Sequence, residues 1–151
     1  MCRIFNVPAG LGEPVFDKLQ ADLAKAMLSI GTARGFEFGQ GFQAAGMPGS
    51  IHNDLMTEEN GKVRFLTNHD GGIQGGITNG QEIYFQVGFK PVPSVHQPQQ
   101  MIDRNLATHE ETISGRHDSC HIPRLVVIVE SMAALVLADH LLRNRAAKLS
   151  Y

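Results

Sequence analysis

The chain has 151 residues, 42% of them hydrophobic and 19% charged, and 13 Lys and Arg stand against 15 Asp and Glu for a net charge of −2. This is the composition of one soluble globular domain, long enough to bury roughly 70% of its extended-state surface. The charge balance argues against a protein that tracks a nucleic-acid backbone, which needs a basic excess, but leaves anionic small molecules open because a few Arg or Lys suffice for them.

The opening residues, MCRIFNVPAG, lack the apolar run of a signal peptide. Cys2 and Cys120 are the two cysteines, too few for a disulfide framework, and a reducing cytoplasm is the expected setting. Residues 13–30 predict an amphipathic helix: Val15, Phe16, Leu19, Leu23, Ala26, Met27 and Ile30 recur at three- and four-residue spacing. Glu13 and Pro14 suit its first turn and Gly31 its stop. RGFEFG predicts a short strand with Phe36 and Phe38 on one side, and residues 39–61, rich in Gly, Asn and Pro, a long flexible loop. KVRFLT and QEIYFQVGFK alternate as strands do, and between them lies GGIQGGITNG. PVPSVHQPQQ, with three prolines, leaves the sheet. Residues 124–148 predict a helix buried on most faces, with Arg143, Arg145 and Lys148 at its negative end. Its LVVIV start also suits a strand. Glu130, Asp139 and His140 interrupt its apolar run, so it reads as a core helix rather than a membrane span, and no membrane partner is expected.

Four constellations carry chemical groups. Gly39-x-Gly41-x-x-Ala44 imitates a dinucleotide turn, but Met47-Pro48-Gly49-Ser50 follows where a helix must open. The paired glycines of NHDGGIQGGITNG serve equally as a wide turn or as a place where backbone approaches a ligand. Lys90, ending a strand and held by Pro91 and Pro93, can present its ammonium to an anion or simply be solvated. SGRHDSCHIPR, residues 114–124, packs Arg116, His117, Asp118, Cys120 and His121 together. Zinc normally takes paired ligands from two separated knuckles; here all candidates sit within five residues, Cys2 is the only other cysteine, and His96 and His109 could help only without any recognised spacing, so no metal is expected. An acid/base or anion-binding loop and a plain helix entry remain equally good readings of that stretch.

Taken in order, GLGEPVFDKLQADLAKAMLSI, GFEFGQGF, TNHDGGIQGGITNGQEI, FKPVPS and SGRHDSCHIPRLVVIVESMAALVLADHLL resemble the chorismate synthase family over nearly the whole stretch from Val7 to Leu142. Two departures are modest: Ser119 stands where the family has Pro in Arg-His-Asp-Pro-Cys, and HDGG replaces a more usual apolar or small pair before the glycines. The resemblance reaches only the C-terminal part of the longer family members. Their Gly-Glu-Ser-His-Gly segment, acid histidines, flavin-side serines and most substrate arginines have no counterpart, so a C-terminal fragment, inactive alone, is expected.

The resemblance implies an α+β fold, the C-terminal half of a β-α-β sandwich with antiparallel sheets around long helices, in one domain over 1–151. It further implies a cytoplasmic homotetramer, and elimination of phosphate from 5-enolpyruvylshikimate 3-phosphate to give chorismate, using reduced FMN, with NADPH as a source of reducing power in the parent enzyme. By the same resemblance Gly75, Lys90, Pro91, Val92, Pro93, Ser94 and Arg116 contact the flavin, and Asp118 exchanges a proton with it, while Cys120 and His121 lead into the helix. The residue types suit those roles. Glycine allows close backbone approach, Lys90 and Arg116 can stabilise anionic charge, and a carboxylate tuned by such charge can move a proton. The rival readings are a non-catalytic binding or assembly module of the same fold, and a metal-dependent hydrolase built on the His/Asp/Cys cluster. On any reading, a final helix apolar nearly all round must expose apolar surface or associate when its neighbours are missing.

Overall fold

The computed structural model describes residues 1–147. In chain order it contains β1 (Cys2–Ile4), α1 (Leu19–Leu28), β2 (Ala33–Phe38), a 3₁₀ segment (Gly41–Gly46) and a single helical turn, α2 (Gly49–His52). Then follow β3 (Met56–Glu59), β4 (Lys62–Phe65), β5 (Ile73–Gln74), β6 (Ile77–Thr78), β7 (Ile83–Phe89), β8 (Gln99–Ile102), β9 (Thr108–Glu111) and α3 (Ile122–Ala147). The fold is α+β. An antiparallel sheet of order β1-β7-β2 carries α1 and α3 on one face, and three two-stranded hairpins, β3-β4, β5-β6 and β8-β9, extend from this frame.

The core follows from two periodicities. Along β7, Ile83 and Phe85 are fully buried and Val87 and Phe89 continue the same face, as alternation requires. Phe36 and Phe38 of β2 lie opposite Val87 and Phe85, and the Phe36 and Phe85 rings pack 5.3 Å apart. Against this face α1 sets Leu19, Leu23 and Met27, spaced four residues apart and each fully buried. Each such side chain contributes about 1.5–3 kcal/mol through the water it leaves. Val129 and Ala133 of α3 complete the cluster with Val7, Leu11 and Ile73.

Helix α1 is shorter than its apolar periodicity predicts. Val15 and Phe16 are 64% and 88% exposed and take no part in the buried face. A turn precedes the helix instead, closed by the Asp17 N–H on the Pro14 carbonyl at 2.9 Å, and the helix begins where the Leu19 N–H reaches the Gly76 carbonyl at 3.0 Å. Its end is set by Ser29, whose hydroxyl bonds the Ala26 carbonyl at 2.6 Å; Thr32, not Gly31, takes the left-handed conformation.

Residues 39–61, expected to be loop, contain the 3₁₀ segment, α2 and strand β3. Asn60 and Gly61 both have positive φ, the geometry of the tight turn that joins two strands of right-handed twist, and so β3 pairs with β4. Helix α3 resolves the ambiguity of LVVIV in favour of helix, with Pro123 in the first turn where its missing N–H costs nothing. Lys148, expected at its end, lies outside the described residues. Only one face of α3 is covered: Leu125, Val129, Ala133 and His140 are buried, whereas Val127, Leu135 and Leu142 are each more than 60% exposed. The expectation of burial on most faces therefore fails within this chain, because the sheet and α1 lie on one side only. By length and composition α3 could also cross a bilayer.

Candidate functional site

The end of α1, the exit of β7 and the entrance to α3 meet at Thr32. Its carbonyl accepts the Lys90 N–H at 2.9 Å, and its hydroxyl lies 3.2 Å from Nε2 of His121. Between these two anchors runs 91–120, and the chain folds back so that Pro91, Val92, Ser94, His96, Asp118 and Ser119 line one open cavity. Here the structure brings together most of the residues singled out after β7 with the Asp of SGRHDSCHIPR. Lys90, half-buried, sits at the strand end beside it, and Pro93 is exposed in the same turn.

Asp118 is held by Arg124 of α3, with Oδ2 and Nη1 2.7 Å apart and both side chains substantially exposed. The carboxylate therefore stays in reach of solvent and of a ligand while its orientation is set by the first turn of the helix. Arg116 is exposed and, among the described residues, makes no ion pair. The His96 and His117 rings lie 6.1 Å apart, and His96 is tied to the Ile113 carbonyl at 3.1 Å. Among the described residues no three His, Cys, Asp or Glu side chains gather as a metal site. Cys120 is exposed, and His121 is engaged with Thr32 at the helix entrance.

Gly75 does not line this cavity. It lies with Gly76 in the β5-β6 turn, both with positive φ, so the Gly-rich stretch makes a tight hairpin rather than a wide turn. The two glycines differ in surroundings. A Cβ at Gly76 would strike the Lys18 side chain at 2.7 Å, whereas one at Gly75 would meet nothing within 4 Å. Gly75 is exposed, with open space before it.

A second polar cluster escaped the sequence reading because it draws on separated segments. Asp54 accepts the backbone N–H groups of His69 at 2.6 Å and Asp70 at 3.1 Å. Burial opposes its ionised form, but those two N–H groups, the Thr67 hydroxyl and the nearby His69 outweigh burial and hold its carboxyl below the usual range. Asp70 in turn takes a bond from Gln74 at 3.2 Å, beside Gly75, and lies 4.0 Å from His52. Burial, with Asp54, Asp70 and Glu82, pushes the Tyr84 hydroxyl upward. The signal available in the sequence was the His69-Asp70 pair itself.

The dinucleotide reading of Gly39-x-Gly41 finds no support: the turn leads into the six-residue 3₁₀ segment, with no long helix to receive a pyrophosphate. What the fold and site define is an α+β unit that presents basic and acidic side chains on loops at one edge of a helix-backed antiparallel sheet. Comparison with known proteins specifies it further. The family model described as chorismate synthase matches residues 1–142, and the chain belongs to that family. It is 55% identical over 145 residues to a chorismate synthase of Opitutus terrae, covering 96% of this chain and 40% of that protein. It is 56% identical over 148 residues to one of Christiangramia forsetii, covering 98% and 41%. A solved chorismate synthase superposes with a TM-score of 0.74 at 33% identity, over 93% of this chain and 36% of its own. The chain thus spans about two fifths of the length of the curated relatives it matches.

Proposed function

We propose that this chain carries the flavin-side part of a chorismate synthase, a lyase of the shikimate pathway that eliminates phosphate from 5-enolpyruvylshikimate 3-phosphate to give chorismate. The observation that carries the reading is the family match over residues 1–142, on a chain that folds the Lys90–Ser94 segment back against Asp118. The cofactor would be reduced FMN. Gly75, Lys90, Pro91, Val92, Pro93, Ser94 and Arg116 would hold it, and the chemistry it supplies when bound is transient donation of an electron as phosphate leaves, without net redox change.

The residues fit such a group. Arg116 and Lys90 would supply positive charge toward an anionic ring or phosphate, and the backbone that carries Lys90 is anchored by its N–H on the Thr32 carbonyl. Gly75 offers backbone with no side chain in the way. Asp118, exposed and paired with Arg124, would be the group that accepts and returns a proton beside the flavin. The reading places the working protein in the cytoplasm as a homotetramer, with NADPH as a source of reducing power and no nucleic-acid partner. This chain alone makes no chorismate, because the acid histidines and serines expected of the family have no counterpart in it.

The test adds FMN, reduced with dithionite, to the chain alone and to the chain mixed with the separately produced remaining portion of the Opitutus terrae relative. Binding is followed by flavin absorbance and fluorescence, and turnover by chorismate formation. Flavin binding that strengthens in the mixture, with turnover only there, supports the assignment. Turnover by the chain alone overturns its inactivity, and absence of flavin binding in the mixture overturns the flavin-side reading.

A further inference from the structure

A β-branched residue stands in this chain where the backbone favours glycine. Thr32 has a φ of 73°, and the glycine beside it, Gly31, does not take the left-handed turn. A branched Cβ crowds its own backbone there, and a glycine at the same position would make the turn without strain. What threonine adds is a hydroxyl. Threonine hydroxyls commonly bond backbone within a few residues of themselves. This one reaches across 89 residues of sequence to Nε2 of His121, at 3.2 Å in a half-buried contact. Strain kept for one long-range contact points to a function of that contact.

The contact lies between the two walls of the cavity. On one side the Thr32 carbonyl accepts the Lys90 N–H at 2.9 Å, and Pro91, Val92, Ser94 and Val95 follow as cavity lining. On the other, the His121 carbonyl accepts the Arg124 and Leu125 N–H groups at 3.1 and 3.2 Å and so opens α3. Asp118 precedes His121 by three residues and pairs with Arg124 of that first turn at 2.7 Å. Among the described residues, the segment between the walls has few other ties. β8 and β9 pair only with each other, and its side-chain bonds stay within it or run from Asp118 to Arg124. We infer that Thr32 and His121 are positioning residues of this site: their contact sets the spacing between Asp118 and the wall that follows Lys90.

The chemistry of the pair suits a fixed spacer. A hydroxyl donates to a bare ring nitrogen or accepts from a ring N–H, so the contact holds in both charge states of His121. A pH-operated gate would need a partner that bonds only one of them. The inference rests on the flavin-side reading for what the spacing serves, proton exchange beside the cofactor. The contact itself is independent of that reading.

The experiment has two arms. In the first, nitroxide labels at Val95→Cys and Ser119→Cys, one on each wall, are carried by the whole chain in a Cys2→Ser, Cys120→Ser background. The spread of their separation is read from dipolar broadening of the electron paramagnetic resonance spectrum. It should be narrow with Thr32, broad in Thr32→Gly, which takes a left-handed φ freely, and narrow again in Thr32→Ser, with circular dichroism the same in all three. The second arm measures chorismate formation and flavin binding in the mixture with the remaining portion of the Opitutus terrae relative. Thr32→Gly and His121→Ala should each lower kcat by on the order of 100-fold, the loss that a small misplacement brings, with KM and flavin affinity unchanged. The double variant should fall no further, and Thr32→Ser should restore turnover. A label spread unchanged in Thr32→Gly, losses that multiply in the double variant, or flavin affinity that falls in step with turnover would each overturn the inference. A mixture that binds no flavin even with Thr32 and His121 in place overturns the flavin-side reading instead, and the label spread then decides the spacing by itself.

Discussion

His140 of α3 reaches Asp22 of α1 across 118 residues of sequence: Nε2 and Oδ2 stand 3.0 Å apart, the imidazole is fully buried, and its Nδ1 has no partner. The pair ties together the two helices that back the sheet. Removing one partner leaves a buried polar ring with nothing to bond. Asp22→Ala is expected to lower stability by about 1–3 kcal/mol, and Asp22→Asn, which keeps an oxygen in place, by less. Urea midpoints of the two variants at neutral pH decide this; equal midpoints would show that the pair does not hold the helices.

Asp54 gives the molecule an acid-sensitive point. Its carboxyl is held below the ordinary value in the folded chain, so the stability it contributes is present above the unfolded value and is lost as pH falls through the folded one. Amide protons of His69 and Asp70 should remain protected at neutral pH and lose protection below about pH 4. Hydrogen exchange followed by NMR checks this. In Asp54→Asn the pH dependence should flatten while protection at neutral pH falls.

The two thiols differ in reactivity. Cys2 is half-buried beneath α3, and burial, then the nearby Glu130, pushes its thiol upward against the opposing pull of the amino terminus. Cys120 is exposed. Iodoacetamide at mildly alkaline pH is expected to label Cys120 first, as peptide mass mapping over time would show, and Glu130→Gln should quicken labelling of Cys2 with little effect on Cys120.

Asp118 separates stability from chemistry. Its pair with Arg124 is exposed, and such pairs are worth about 0–1 kcal/mol, so Asp118→Asn should leave the melting temperature nearly unchanged. In the reconstituted mixture the same change should lower chorismate formation by about 10²–10⁴-fold with flavin binding retained, the loss characteristic of a proton-transfer group. Arg124→Ala, which frees the carboxylate without removing it, should cost less.

Patterns that repeat over several turns or strand residues were legible in the sequence. The four-residue spacing of Leu19, Leu23 and Met27 marked α1, and the alternation of Ile83, Phe85, Val87 and Phe89 marked the central strand. Boundaries were not, because they depend on distant partners: α1 starts where Gly76 offers a carbonyl, more than fifty residues away in the chain. Of the β3-β4 hairpin only β4 was read, as KVRFLT; β3 was missed although Asn60-Gly61 is a strong turn signal, since it exposes every residue and shows no buried alternation. β8-β9 was missed for the same reason, although Asp103, whose carboxylate takes the Asn105 and Ala107 N–H groups, marks its turn.

The site was legible only in part. SGRHDSCHIPR stood out by its density of chemical groups, but nothing local told that Asp118 would meet Pro91, Val92 and Ser94. Thr32 carried no signal at all. Its role comes from a left-handed φ of 73° that turns both its carbonyl and its hydroxyl toward segments arriving from elsewhere.

That double anchorage bears on how the site loops can vary. The segment 91–120 departs and returns at a single residue, so its ends are already closed by contacts that do not involve its interior. Lengthening a chain between fixed ends adds little entropic cost, because that cost grows only with the logarithm of length. The β8-β9 arm can therefore accept insertions, deletions or a grafted recognition sequence while the sheet and helices beneath it keep their arrangement. Variation in this arm is open to selection at small cost in folding.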